Sequence, residues 1–309
     1  MSLPDSYLQY AKRRYGMDHE RYQWSMLPRR KPVLWPGGAR VALWVVPALE
    51  FFPLNQPAKP FKAPGGMVTP YPDLRHYTLR DYGNRVGIFR VFKVLDALGI
   101  KASVAMNAKV ASRYPMLVDE VNLRGWEIIA GGVDMGRLHY GGMDEAAETA
   151  QVDEALDNLR RISGQKITGW LSPAKSESMN TLDLVAARGI EYVCDWINDD
   201  MPYPIETKSG PIHSMPHSHE IDDQTIMLHY HHSEAEFAQQ IADQFRVLYE
   251  ESAEHGGRIV AITIHPWMSG QPHRIKALEG ALAKIMEHSG VWSATGRQIL
   301  AAFKEQQPE

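Results

Sequence analysis

The chain predicts an α/β fold, a barrel of seven or eight β/α units, on three observations. From residue 41 onward, short β-branched or apolar runs alternate with longer segments of helical period. Several helical segments stop at a glycine just before the next apolar run. No break in composition divides the 309 residues. Such alternation puts parallel strands inside and helices outside, and single α/β barrels routinely reach this length. An open doubly wound sheet is the competing arrangement. Its nucleotide-binding versions lose support because no G-x-G-x-x-G follows a strand and no G-x-x-x-x-G-K-[ST] occurs.

Residues 1–40 precede the first strand as an arm. In it Lys12, Arg13, Arg14, Arg21, Arg29, Arg30 and Lys31 interleave with Tyr15, Tyr22, Trp24 and Trp35. That mixture has two readings, a nucleic-acid arm or an extended segment packed on the barrel or a neighbouring subunit, and the second is expected. Residues 41–309 are read as one barrel domain. Its strand runs are 41–46, 101–106, 126–130, 167–171, 192–196, 212–216, 225–231 and 259–264. Helices are expected at 84–98, 108–124, 144–162, 180–188, 234–255 and 274–288, with Gly99, Gly125, Gly164, Gly189 and Gly256 as stops. Residues 53–73, which hold Pro53, Pro57, Pro60, Pro64, Gly65, Gly66, Pro70 and Pro72, form a long loop after the first strand, of the kind that serves as a lid or binding loop.

Charge and composition narrow the function. With 33 basic and 37 acidic residues the net charge is -4, so neither nucleic acid nor an anionic membrane is an expected partner. The single cysteine, Cys194, excludes an intramolecular disulfide and any multi-cysteine metal site, and fits a reducing compartment. No stretch reaches the roughly 18 apolar residues that span a bilayer, and residues 1–15 have no signal-like apolar core. The expectation is a soluble cytoplasmic protein acting on a small molecule.

Chemistry in such barrels gathers where the strands end, so the residues following each run carry the argument. They are Glu50 after the first strand and Asn107 after the second. Gly131, Gly132, Asp134 and His139 follow the third, and Ser172-Pro173 the fourth. After the fifth come Asp195-Trp196 and Asn198-Asp199-Asp200; later ends carry His217, His219, Glu220, His229, His231 and finally His265-Pro266-Trp267. Carboxylates and imidazoles at one mouth are what hydrolysis needs: a base for water, and a donor for the charge that develops on the attacked oxygen.

Two of these runs are long enough to be specific. Asp195-Trp196-Ile197-Asn198-Asp199-Asp200-Met201-Pro202-Tyr203-Pro204 and His265-Pro266-Trp267-Met268-Ser269-Gly270-Gln271-Pro272-His273-Arg274 resemble motifs of the polysaccharide deacetylase (NodB-homology) superfamily. The nearest likeness is to its branch of cofactor-independent allantoinases and cyclic imide hydrolases, over about residues 35–300. The resemblance implies a distorted (β/α)7–8 barrel and a homo-oligomer, a tetramer.

Three departures separate the chain from the metal-dependent deacetylases it resembles. Their Asp-Asp pair after the first strand is Leu49-Glu50 here. Their His-x-x-x-His after the third strand, which supplies two metal ligands, falls on Gly131 and Met135. Their Arg-x-Pro-x-Gly becomes Leu171-Ser172-Pro173-Ala174-Lys175. The resemblance therefore implies ring opening of a small cyclic amide, imide or ureide with no metal or other cofactor. Glu50 and His265 are the catalytic candidates. Ser172, Pro173, Asp195, Asp199 and Asp200 are expected to meet the substrate, with Trp196 and Trp267 sandwiching its flat ring.

Bland readings accompany each: Glu50 paired with Arg80 or Arg85, the aspartates as turn caps, the tryptophans as core. Two other functions stay open. One is a metal-dependent deacetylase holding Zn2+ through His217-x-His219 or His229-x-His231, whose period-2 spacing puts two imidazoles on one strand face. The other is an inactive barrel that only binds a small ring. Cys194 is read as a buried structural thiol rather than a nucleophile.

Overall fold

The computed structural model describes residue 14 and residues 17–55 and 72–307. The architecture grows from β1 (Val41–Leu49), all of whose residues are buried, as a strand covered on both faces requires. Its side chains divide with period two. Val41, Leu43 and Val45 enter the large core between sheet and helices, while Ala42, Trp44 and Val46 enter a second core inside the barrel. On one side of β1 follow β2 (Ser103–Met106), β3 (Glu127–Ala130), β4 (Gly169–Trp170) and β5 (Tyr192–Val193). Beyond β5 the order reverses, with β7 (Ile212–Ser214) and then β6 (Tyr203–Ile205), and on the other side of β1 lies β8 (Arg258–Ile264). All ladders are parallel except β6–β7, and the short β9 (Val291–Ser293) pairs with the start of β1. After β7 the chain returns to the far edge, where Asp222 forms a parallel bridge to Thr263 of β8. The sheet thus curls into a distorted barrel with a seam between its edge strands, β6 and β8.

The helices are α1 (Leu74–Tyr82), α2 (Ile88–Ala97), α3 (Ala108–Arg113), α4 (Pro115–Leu123), α5 (Glu145–Ser163), α6 (Thr181–Ala186), α7 (Glu234–His255), α8 (Ile275–Met286) and α9 (Gly296–Lys304). Local caps explain why the longest match expectation. Asp144 accepts the Ala147 N–H at the start of α5, and a reciprocal Ser233–Glu236 capping box starts α7. All five expected stop glycines have positive φ. The expected helix 108–124 divides because Pro115 lacks an N–H and holds Tyr114 out of the helical region, at φ -131 and ψ 61.

Other expectations are corrected. Residues 225–231 are not a strand. A π-helical turn, Gln224–His229, stands there, because Asp222 Oδ1 accepts the N–H groups of Gln224 and Thr225 and starts a helical path. The fourth and fifth strands shrink to two residues each, and β6, β9 and α9 were not foreseen. The helix expected at 84–98 begins earlier, with α1 running through a π-helical turn, Gly83–Gly87, into α2. Residues 56–71, most of the Pro/Gly-rich loop, lie outside the described residues, as do Lys12, Arg13 and Tyr15.

Helix α9 closes the barrel floor. Gly296 N donates to Ser103 Oγ and Arg297 N to Glu127 Oε2, while Tyr192 OH donates to Glu127 Oε1 at 2.8 Å. A buried carboxylate satisfied this fully seals one end, so the open end is the one to search. Among the described residues no helix is long and apolar enough to cross a membrane.

Candidate active site

At the open end the strands converge on a cavity of about 70 Å³, room for roughly five water-sized bodies at ~10–15 Å³ each. Glu50, leaving β1, is held there by its backbone. Asn84 Nδ2 donates to the Glu50 carbonyl at 2.9 Å, and Asn107 Oδ1 accepts the next N–H, that of Phe51, at 2.7 Å. Asn107 also donates through Nδ2 to the Gly131 carbonyl, so one amide ties three strand ends together. The carboxylate of Glu50 points inward with Oε2 buried and unpartnered. The Arg85 pairing considered for it is absent: Arg85 faces Asp81 at 3.8 Å. Arg80 is electrostatically close to Glu50, but its guanidinium lies 5.0 Å over the Trp267 ring.

Across the cavity His265, leaving β8, turns Nε2 to within 3.7 Å of Glu50 Oε1. Its orientation comes from Asp223, whose Oδ1 lies 2.7 Å from Nδ1 and whose two oxygens also accept the His265 backbone N–H. Ser269 Oγ donates to the second Asp223 oxygen, and Asp222 Oδ1 stands 3.7 Å from Nδ1. Burial disfavours a charged ring, but Asp222, Glu50 and Asp223 outweigh it and push the His265 pKa well above 6.5. The surrounding carboxylates thus favour the imidazolium form, with Nδ1 held by Asp223 and Nε2 facing Glu50.

The third wall follows β4. Ser172 N–H and Oγ–H both donate to Asp195, at 2.8 and 2.7 Å, so Asp195 supports Ser172 from behind. Pro173 packs against Gly132, where a Cβ would stand 2.6 Å from the proline ring. Ala174 and Lys175 then take left-handed backbones, φ 58 and 53, a strained pair at the cavity edge. This turn carries Lys175 inward: Nζ lies 3.4 Å from His219 Nδ1 and 3.3 Å from the Ser218 carbonyl. Burial lowers the Lys175 pKa against the pull of Asp222 and Asp195. Beside it Gln224 offers a buried, unpartnered Nε2.

Glu50, Ser172, Pro173 and His265 thus meet at one cavity. Other candidates do not reach it. Asp199 is clamped by Arg30 at 2.7 and 2.6 Å, and its neighbour Asp200 is exposed. Trp196 donates Nε1 to Glu177 and packs edge-on against Tyr22. Trp267 is buried behind His265, ring centroids 6.3 Å apart. No aromatic sandwich forms, because the two tryptophans leave their strands away from the cavity. Cys194 is buried in the inner core, and burial with Asp195 nearby holds its thiol well above the usual range.

Lys175, Asp222, Asp223 and Gln224 were missed as site residues. The last three directly precede the run 225–231 that reads as a strand, and Lys175 stands where the resembled Arg-x-Pro-x-Gly motif has its glycine. The deacetylase metal site does not fit. Gly131 and Met135 offer no imidazole at the cavity wall. His231 is exposed, and His217 is buried with Nε2 on Thr263 Oγ1 at 3.0 Å, its pKa held well below 6.5 by burial and by Lys175. Among the described residues the one group of potential ligands that converges is Asp222, Asp223 and His265. Their atoms are already engaged with one another and with the N–H groups of Gln224, Thr225 and His265.

The polysaccharide deacetylase family model matches residues 77–193. A Schizosaccharomyces pombe protein provisionally named a polysaccharide deacetylase is 24% identical over 245 residues, 74% of this chain and 76% of that one. Two solved structures superpose over nearly the full length. The PuuE allantoinase is 26% identical, with a TM-score of 0.80 over 96% of this chain and 97% of its own. A Pseudomonas aeruginosa protein described as a probable polysaccharide deacetylase is 26% identical, with a TM-score of 0.79 over the same shares.

Proposed function

We propose that this chain is a hydrolase of the polysaccharide deacetylase superfamily that opens a C–N bond of a small cyclic amide, imide or ureide, a reading supported by the family match over residues 77–193 and the likeness to the PuuE allantoinase. The observation that carries this reading is the facing pair of Glu50 and His265 at 3.7 Å in a cavity whose deacetylase ligand positions are Gly131 and Met135. A small space at the strand ends suits a single ring rather than a polymer. The groups around it complement a ring C(=O)–N–H edge: Glu50 Oε2 is an acceptor without a donor, and Gln224 Nε2 a donor without an acceptor.

In this reading Glu50 takes a proton from water as the water oxygen adds to the ring carbonyl. Gln224 and Lys175 donate to the oxyanion that develops. The tetrahedral adduct collapses with rupture of the C–N bond, and His265 Nε2–H protonates the departing nitrogen. Asp223 keeps the ring in the donor orientation throughout. Ser172, fixed by Asp195, holds the substrate edge at the opposite wall.

A panel of allantoin, hydantoin, dihydrouracil, succinimide and glutarimide, assayed with chelator-treated enzyme before and after adding Zn2+, tests the proposal. Turnover of at least one ring without metal, lost in Glu50→Gln, is the expected result. A second reading, metal-dependent deacetylation, draws on the convergence of Asp222, Asp223 and His265. Silence on every ring, with Zn2+-dependent release of acetate from an N-acetyl sugar, would replace the first reading by the second.

A further inference from the structure

We propose that the barrel seam holds a second binding site, for a small organic oxyanion with an apolar body. A cavity of about 320 Å³ opens there between the two edges of the sheet, among Tyr203, Pro204 and His213 of the β6–β7 hairpin, Arg258 at the start of β8, and Arg30 and Lys31 of the preceding arm. It stands at the opposite end of β8 from His265, seven residues away along the strand, and shares no residue with the catalytic cavity.

Arg258 carries the inference. It is 1% exposed, yet its Nε and Nη2 have no hydrogen-bond partner. Nη1 reaches only the carbonyls of His255, Gly256 and Gly257, at 3.3 to 3.4 Å, and the nearest carboxylate, Glu251, is 3.6 Å from Nε. A buried guanidinium this poorly satisfied is costly unless something completes it. Among the described residues no carboxylate lines the cavity: Asp199 is occupied by Arg30, and Asp200 and Glu251, which feel the charge of Arg258 or lie near it, stand outside the lining. Lys31 adds a second cation, its Nζ on the Gln306 carbonyl at 3.3 Å. A planar carboxylate or a phosphoryl group would match the unpartnered Nε–Nη2 edge of the guanidinium, which borders the cavity and is uncovered by a shift of the side chain. The remaining wall, Leu27, Val33, Met201 and Phe303, is apolar and suits a ring or short chain attached to that anion.

Isothermal titration of the full chain with benzoate, phenyl phosphate and inorganic phosphate tests the site. One equivalent of benzoate or phenyl phosphate is expected to bind, and inorganic phosphate more weakly for want of the apolar contact. Lys31→Glu, which reverses an exposed lining charge without touching the core, should weaken binding at least tenfold, and Arg258→Lys, which keeps the charge but loses the fork, by a similar factor. Glu50→Gln should leave the affinity unchanged. The proposal is overturned by absence of binding at millimolar probe, by binding indifferent to Lys31→Glu, or by an affinity that follows Glu50 instead.

Discussion

Glu50 and His265 are 3.7 Å apart, too far for a direct hydrogen bond and close enough for one attacking oxygen to touch both. Glu50→Gln keeps the size and the Asn84 contact to the backbone but cannot take a proton, so kcat should fall by about 10²–10⁴ with little change in thermal stability. Unchanged kcat would remove Glu50 from the mechanism. His265 gives a pH signature. Its folded pKa lies well above 6.5, so the acid form persists through neutrality and the alkaline limb of kcat should fall above the ordinary imidazole range. Asp223→Asn removes one of the three stabilising carboxylates and should move that limb toward lower pH by roughly one unit or more; a pH–rate profile that does not move would show that another group sets it. The same elevation contributes stability that is complete below pH 6.5 and lost as pH rises through the folded pKa. Glu50, Ser172 and His265 were legible because each directly follows an apolar run. Asp223 was not, because its partner is 42 residues away and no local pattern marks a side chain that serves another residue's ring.

The loop that bears His265 is positioned by backbone contact between elements. At Gly87, in the π-helical turn, an added Cβ would lie 2.0 Å from the Pro266 carbonyl oxygen, and one at Gly270 would lie 2.5 Å from Gly87 Cα. Two main chains touch here with no room for a methyl. Gly87→Ala should therefore cost about 1–3 kcal/mol in denaturant unfolding, as overpacking does, and lower kcat by displacing the His265 loop. A variant as stable and active as the parent would mean that the contact does not position the loop. Helix limits were readable in the sequence because caps are local: Ser233 and Glu236 lie three residues apart and fix the start of α7 by themselves. The runs 167–171 and 192–196 announce β4 and β5, whose two-residue lengths are set by neighbouring ladders, whereas the Gly83–Gly87 turn depends on the loop packed against it and left no periodic trace.

Alternation of apolar and amphipathic segments, repeated along the chain, carried the barrel into view, but the seam escaped because it depends on one bridge, Asp222 to Thr263, and an antiparallel β6. Behind Ser172 the molecule keeps a pair of facing acids, Glu177 and Asp195. Burial, then the charge of Asp195, drives the Glu177 pKa well above 4.5. The sign of the linkage follows. Between 4.5 and its folded value, the native state holds a proton that the unfolded chain has released, so stability from this group is present at low pH and lost as pH rises. At pH 7–8 the pair is a net burden, at about 1.4 kcal/mol for each unit of elevation. Glu177→Gln relieves it without breaking contacts: the amide oxygen can still accept the Trp196 Nε1–H, now at 2.7 Å, and the amide nitrogen can donate to Asp195. The variant should melt a few degrees higher than the parent at pH 8, with the difference shrinking toward zero near pH 4. A parent and variant whose Tm values run parallel across that range would mean that Glu177 is ionised in the folded protein, and that Asp195 holds Ser172 without its help.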